Sequence, residues 1–174
     1  ESLDRAEEQS LAMVCDRAEV ADGMTILELG CGWGSLSLWM AEKYPNSQIV
    51  GVSNSSFQRE FIERRAREKG LNNLTIVTCD INQFDPGRSF DRVVSIEMFE
   101  HLWNYKELLH RISGWLNTDG KLFVHIFTHK DLVYKYETDG AGNWMGRHFF
   151  TAGLMPSHNL FQHFQQDLTL VNQW

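Results

Sequence analysis

The sequence predicts an α/β fold, a mostly parallel sheet covered by helices on both faces. Apolar runs rich in strand formers alternate along the chain with segments whose apolar residues recur at helical spacing, the arrangement of βαβ units. The first run, Thr25 to Leu29, breaks at once into glycines on alternate positions, Gly30, Gly32 and Gly34, ahead of a helix. At 174 residues the chain has room for one core, burying roughly 70% of the surface of its unfolded form, so a single domain over 1–174 is expected.

Each element has its own signal. From about Ala6 to Val20 the residues Leu11, Val14, Cys15 and Ala18 fall at helical spacing, and Asp22-Gly23 turns the chain into the first strand. Ser35 stands where it would cap the second helix, marked by Leu36, Trp39, Met40 and Tyr44 and ended by Pro45. Gln48 to Val52 is the second strand. Ser55-Ser56-Phe57-Gln58 has capping-box spacing, and Phe57, Phe61, Ile62 and Ala66 mark the buried stripe of a helix closed by Gly70. Leu74 to Thr78 and Phe90 to Ile96 are strands on either side of the turn Asp85-Pro86-Gly87. Tyr105, Leu108, Leu109, Ile112, Trp115 and Leu116 set out an amphipathic helix, stopped by Asn117-Thr118-Asp119-Gly120 before a fifth strand, Lys121 to Phe127. Beyond His129 the pattern loosens. Gly140-Ala141-Gly142-Asn143 reads as a loop, Leu160, Phe161 and Phe164 as a short helix after Ser157, and Asp167 to Trp174 as a sixth strand.

Composition narrows the function classes. A formal net charge of -7 argues against a nucleic-acid partner, and the densest basic cluster, Arg64, Arg65, Arg67 and Lys69, reads as a solvated helix face. No run of about 18 apolar residues is present, so no stable membrane insertion is expected. Cys15, Cys31 and Cys79 are scattered and odd in number, which favours free thiols in a reducing, cytoplasmic setting. The chain opens at Glu1 without a methionine or leader and stops at Trp174 inside its last expected strand, which predicts a core fragment truncated at both ends.

Parallel sheets bind ligands beyond the carboxyl ends of their strands. That rule selects Glu28 to Gly34, Ser53 to Gln58, Cys79 to Asn82, Glu97 to His101 and Thr128 to Lys130. The glycine loop suits a nucleotide-like ligand, because glycines let the ligand lie directly against the peptide planes. A dinucleotide fingerprint fails: Ser35 stands where the third glycine belongs, and Ser53-Asn54 replaces the ribose-binding acid. S-adenosyl-L-methionine carries no pyrophosphate, and its sulfonium tolerates Glu28 at close range. The run Glu28-Leu29-Gly30-Cys31-Gly32-Trp33-Gly34-Ser35 resembles the first motif of the class I S-adenosyl-L-methionine-dependent methyltransferases, whose Rossmann-like sheet the rest of the chain would then form. That resemblance implies that Gly30 and Gly32, with Glu28 and Gly34 beside them, line the methionine end. Asn54 and Gln58 would contact the ribose, Asp80 and Ile81 would frame the adenine, and Ile96 would border the site. Asn54 departs from the acid common in the superfamily, although an amide can still make two hydrogen bonds there.

The fourth strand runs into Glu97-Met98-Phe99-Glu100-His101, two carboxylates and an imidazole within five residues. Beside a methyl donor they form a proton-accepting set, since an amine must shed its proton before it attacks. The bland alternative is that the acids solvate the start of the next helix. Trp144, Phe149, Phe150 and Tyr136 either wall a substrate cavity or belong to the core. His125 and His129 are four apart without a helix or a carboxylate partner, and methyl transfer from a sulfonium requires no metal.

Ile96-Glu97-Met98-Phe99-Glu100-His101 with Asn104-Tyr105, Phe123 to Phe127, and Phe149 to Ser157 together resemble the plant coclaurine N-methyltransferases, a branch of the cyclopropane-fatty-acid-synthase-like methyltransferases. The likeness covers nearly all of the chain. It implies that Glu100 and His101 position and deprotonate an amine while Glu97 helps bind it, with S-adenosyl-L-homocysteine as the coproduct. The lipid-modifying branch has glycine where this chain has Glu97, and it holds a bicarbonate base through residues that map onto Cys15, Glu100 and His125. Methyl or methylene transfer to unsaturated acyl chains therefore stays open, as does an inactive cofactor-binding core. The expected partner is a small-molecule amine, with a homodimer left open.

Overall fold

A computed structural model describes residues 2–140, 142–151 and 153–174; Glu1, Ala141 of the expected loop and Ala152 of the 149–157 motif lie outside the described residues. The chain divides into two compact units. One comprises the residues up to Ile96 together with Trp115–His125, the other Glu97–Gly114 together with Ile126–Trp174.

The first unit contains α1 (Leu3–Arg17), β1 (Thr25–Leu29), α2 (Ser35–Lys43), β2 (Gln48–Ser53), α3 (Ser56–Glu68), β3 (Leu74–Thr78), β4 (Phe90–Ile96) and β5 (Leu116–His125). Among the described residues its five strands lie in the order β3-β2-β1-β4-β5, all parallel. Side chains alternate across the sheet. Ile26, Ile49 and Val94 pack beneath Val14, Cys15 and Ala18 of the first helical segment and Leu36, Met40 and Ala41 of α2. Ile62 of α3 packs with Cys31 and Ile76. On the opposite face Leu27, Leu29 and Val93 are also fully buried, as a parallel sheet requires.

Several boundaries differ from the sequence expectation, each for a local reason. The first helix is shifted toward the N-terminus: Ser2 caps it by accepting from the Arg5 N–H, and Glu19, at φ 53°, turns the chain so that the Val20 N–H closes on Cys15 O at 2.9 Å. Ser35 is not the cap of α2. Gly34 holds that position at φ 85°, with no side chain capping the helix. Ser55 does cap α3, but Phe57 is 75% exposed instead of buried, because the stripe facing the sheet runs through Ile62 and Ala66. The turn expected at Asn117–Gly120 is folded into β5. Its register jumps from Phe90↔Leu116 to Arg92↔Lys121, and Gly120 tucks over Asn117, where a Cβ would lie 2.9 Å from the Asn117 carbonyl. β5 ends at His125 and not at Phe127.

The second unit contains most of α4 (Tyr105–Trp115), the short β6 (Tyr134–Lys135) and β7 (Leu154–Met155), which pair antiparallel, and α5 (Trp144–His148). Its 3-10 turns are Phe99–His101 and Leu160–His163, so the short helix expected after Ser157 is a single tighter turn. Phe99, Tyr105 and Phe161 meet ring on ring at 5.6–6.0 Å, and Phe164 joins Tyr105 at 5.9 Å. The Tyr105 hydroxyl donates to Phe99 O at 2.9 Å. The expected sixth strand is absent: residues 167–174 are irregular, and Leu170, Val171 and Trp174 are exposed, with no buried face to reward alternation.

Candidate active site

The strand order reverses between β1 and β4, which makes their carboxyl ends the place for a ligand in the first unit. The loop after β1 is shaped by left-handed glycines, Gly30 at φ 75°, Gly32 at φ 52° and Gly34 at φ 85°. They do different work. A Cβ on Gly32 would meet nothing within 4 Å, so this glycine borders open space that a side chain would fill. A Cβ on Gly34 would lie 2.6 Å from Ile62 Cγ1, so Gly34 seats the start of α2 on α3. The N–H groups of Gly30 and Cys31 both donate to Val52 O, at 3.0 and 2.9 Å, and that of Gly34 donates to Cys31 O at 2.8 Å. These bonds tie the start of the loop to the end of β2 and fold its second half back on itself.

Glu28 is fully buried and accepts a hydrogen bond from the Ser37 hydroxyl. Burial pushes its carboxyl up to about 7, against a smaller pull from Ser37. Its register partner on β2 is Gly51, where a Cβ would come within 3.0 Å of Ser37 Oγ and 2.8 Å of Ile76 Cδ1. Ser37 and Gly51 were not singled out from the sequence. A glycine inside an apolar strand was the available signal. Asn54 is exposed just after β2, and the half-buried Gln58 is held by the Ser53 hydroxyl. Asp80 is exposed and accepts from the Asn82 N–H and side-chain amide at 2.8 and 2.9 Å, so it shapes its own turn; Ile81 is half-buried beside it. Ile96 ends β4 and packs at the margin of the α1–α2 core. The buried Ser95 hydroxyl donates to Leu29 O at 3.0 Å, joining the ends of β1 and β4.

Glu97 opens the second unit at φ 50°, a left-handed conformation that costs a non-glycine residue about 1 kcal/mol or more. It is exposed. Glu100 is fully buried, and neither carboxyl oxygen has a hydrogen-bond partner among the described residues. Burial and then the charge of Glu97 raise its carboxyl to about 7. Glu100 in turn helps hold the phenols of Tyr105 and Tyr136 above their ordinary value, burial being the larger cause in both. His101 is exposed, and its ring stacks on Phe150 at 5.5 Å. The turn therefore joins a buried carboxyl with no hydrogen-bond partner among the described residues, an exposed carboxylate and an exposed imidazole, groups able to attract a cation and accept its proton.

The four aromatic candidates separate. Tyr136 and Phe150 stack at 4.8 Å, whereas Trp144 and Phe149 form an exposed pair at 5.2 Å. Cys15 is core: burial pushes its thiol up to about 12 although the Tyr44 hydroxyl bonds to it. His125, within the expected strand Lys121 to Phe127, is exposed at the end of β5. An open depression of about 560 Å³, lined by Ser47, Gln48, Asn72, Asn73 and Arg88 among others, lies at the amino ends of β2 and β3, the end a parallel sheet does not use for ligands. Among the described residues no three His, Cys, Asp or Glu side chains gather as a metal site, and no helix is long and apolar enough to cross a membrane.

The profile of the mycolic acid cyclopropane synthetase family matches residues 1–173. The chain belongs to that family. Within it, the chain is 41% identical to (S)-coclaurine N-methyltransferase of Thalictrum flavum subsp. glaucum over 99% of its own length and 48% of that enzyme's. Identity to the cyclopropane-fatty-acyl-phospholipid synthase of Escherichia coli K12 is 32%, over 90% of this chain and 39% of that enzyme. The solved structure of a coclaurine N-methyltransferase bound to N-methylheliamine and SAH superposes with a TM-score of 0.92 and 41% identity, over 100% of this chain and 52% of that one. The chain thus spans about half the length of the curated relatives it matches. Its parallel sheet is that of the class I methyltransferases.

Proposed function

We propose that residues 1–174 are one methyltransferase domain of an S-adenosyl-L-methionine-dependent enzyme that N-methylates a small-molecule, alkaloid-type amine. The observation that carries this reading is the turn with Glu97 exposed and strained, Glu100 buried without a hydrogen-bond partner among the described residues, and His101 exposed, all within five residues. A protonated amine is the ligand for which a buried, uncompensated carboxyl is suited. Glu97 and Glu100 hold the amine, and His101, with Glu100, takes its proton and frees the lone pair. Gly30 and Gly32 border the cofactor, Asn54 and Gln58 face its ribose, and Asp80 and Ile81 its adenine, with Glu28, Gly34 and Ile96 supporting them. The cofactor supplies an electrophilic methyl group and departs as S-adenosyl-L-homocysteine. Holding nucleophile and methyl in line accounts for most of the rate. The identity of 41% to a coclaurine enzyme against 32% to a lipid enzyme favours the amine, as does Glu97 where the lipid branch has glycine. Three free cysteines fit a cytoplasmic setting, and the net charge of -7 fits a protein without nucleic-acid partners.

The test incubates the full-length protein and S-adenosyl-L-methionine with tetrahydroisoquinoline-type amines and, separately, with unsaturated phospholipids. Amines are expected to gain the mass of a methyl group. Product confined to the phospholipids, and insensitive to Glu97→Gly, overturns the reading.

A further inference from the structure

A histidine that accepts protons is ordinarily held by a hydrogen bond from its second ring nitrogen to a carboxylate or a carbonyl. His101 departs from that pattern. Among the described residues neither ring nitrogen has a hydrogen-bond partner, and the ring is exposed. What it does have is a stack. His101 lies 5.5 Å from Phe150 with the planes 20° apart, and Phe150 lies 4.8 Å from Tyr136 with the planes 18° apart. Phe127 meets the middle ring edge-on at 5.1 Å. The outer ring is fixed as well, through the Tyr136 hydroxyl on Met155 Sδ at 3.9 Å and Tyr134 at 6.0 Å.

The backbone holds the middle ring in register. The Phe150 N–H donates to Met145 O at 3.0 Å, and the Gly153 N–H returns to Phe150 O at 2.7 Å, closing a tight turn. Gly153 lets that turn lie against the residue preceding His101. A Cβ there would come within 3.1 Å of both Phe150 Cβ and Phe150 O, and 3.2 Å of the Glu100 carbonyl oxygen.

We propose that Phe150 is a positioning residue for His101: backed by Tyr136, it fixes the plane of the imidazole by stacking. The inference rests on the reading of His101 as proton acceptor. Stacking leaves both ring nitrogens open, so one can face an amine and the other water. It restricts the rotation about χ2 that would otherwise cost turnover.

The test uses the full-length protein labelled at histidine Cε1, with the His101 resonance assigned by its loss in His101→Gln. Phe150→Leu is expected to shift that resonance downfield as ring-current shielding is lost, and to lower kcat for amine methylation roughly 10- to 100-fold with KM within about twofold. Phe150→Tyr, which keeps the ring, is expected to restore both. In a His101→Ala background Phe150→Leu is expected to cost nothing further. An unmoved resonance in Phe150→Leu, a loss carried by KM alone, or an equal loss in the His101→Ala background overturns the positioning role. Failure of the underlying reading looks different: His101→Ala would then methylate amines at the wild-type rate, while the resonance shift still reports on the stack.

Discussion

Ser37, near the start of α2, donates its hydroxyl hydrogen to the carboxylate of Glu28, which is fully buried on the central strand. The folded chain raises this carboxyl from an ordinary 4.5 to about 7. Between those values the folded state keeps a proton that the unfolded state releases. The stability Glu28 contributes is therefore complete below pH 4.5, declines as pH rises to 7, and stays lost above, a change of about 3 kcal/mol. Glu28→Gln is expected to flatten that part of the profile. Ser37→Ala removes a partner of the charged form and is expected to cost about 1–3 kcal/mol at pH 8 and less at pH 5. Urea unfolding at the two pH values measures both, and a Ser37→Ala penalty larger at pH 5 would contradict the assignment.

Glu97 sits at φ 50°, where glycine is the unstrained residue. Glu97→Gly is expected to leave stability unchanged or raise it by up to about 1 kcal/mol, while amine methylation falls by 10-fold or more. Retained strain at a carboxylate is explained only if the carboxylate has work to do. Thermal melts alongside turnover decide it: a variant as active as the wild type leaves the strain without a functional reason.

Of the glycines in the loop after β1, Gly32 borders open space and Gly34 is packed against Ile62. Gly32→Ala adds a methyl to open space and pays about 1 kcal/mol for its positive φ, so it should fold and lose affinity for S-adenosyl-L-methionine in calorimetric titration. Gly34→Ala puts a methyl 2.6 Å from Ile62 Cγ1 at φ 85° and should cost at least 2 kcal/mol, roughly the price of overpacking plus strain. Adding Ile62→Ala, which removes all three contacting atoms, should make Gly34→Ala cost less than it does beside Ile62. Equal destabilisation by both single substitutions would show that the loop is packed throughout.

The parallel sheet was legible because period and punctuation agree locally, as in Thr25–Leu29 followed by its glycines. The turn proposed as the site stood out for a related reason: strand ends identify themselves, and Glu97, Glu100 and His101 are neighbours in the chain. What escaped depends on distance in sequence. Ser37 reaches Glu28 only because Gly51 leaves room across the sheet, and Asn117 joins the Thr25–Asp91 pair through an amide 26 residues from Asp91. The bulge at Leu116–Gly120 was read as a plain turn because Asn, Asp and Gly signal a reversal without saying whether a strand absorbs it. Phe57 was assigned to a buried stripe by spacing alone, yet the buried residues of α3 are Ile62 and Ala66, and Phe57 in its first turn is exposed.

Glu100 gives the sharpest separation of stability from function. Its side chain is buried, both oxygens lack partners among the described residues, and burial with the Glu97 charge raises the carboxyl to about 7. Below about pH 4.5 the group is neutral whether folded or unfolded and carries no penalty. Through pH 4.5–7 the unfolded chain releases the proton first, so stability falls; above 7 the penalty is complete. Glu100→Gln, which keeps the shape without the charge, should match the wild type near pH 4 and exceed it at pH 8 by roughly 1–3 kcal/mol. The same substitution should lower kcat/KM for the amine about 100-fold or more, because the neutral amide neither attracts the cation nor shares its proton. Chemical denaturation at both pH values, paired with turnover, reads the two effects from one variant. If Glu100→Gln were less stable than the wild type at pH 8, a counter-charge would already occupy the carboxylate in the folded protein, and the turn would be structural.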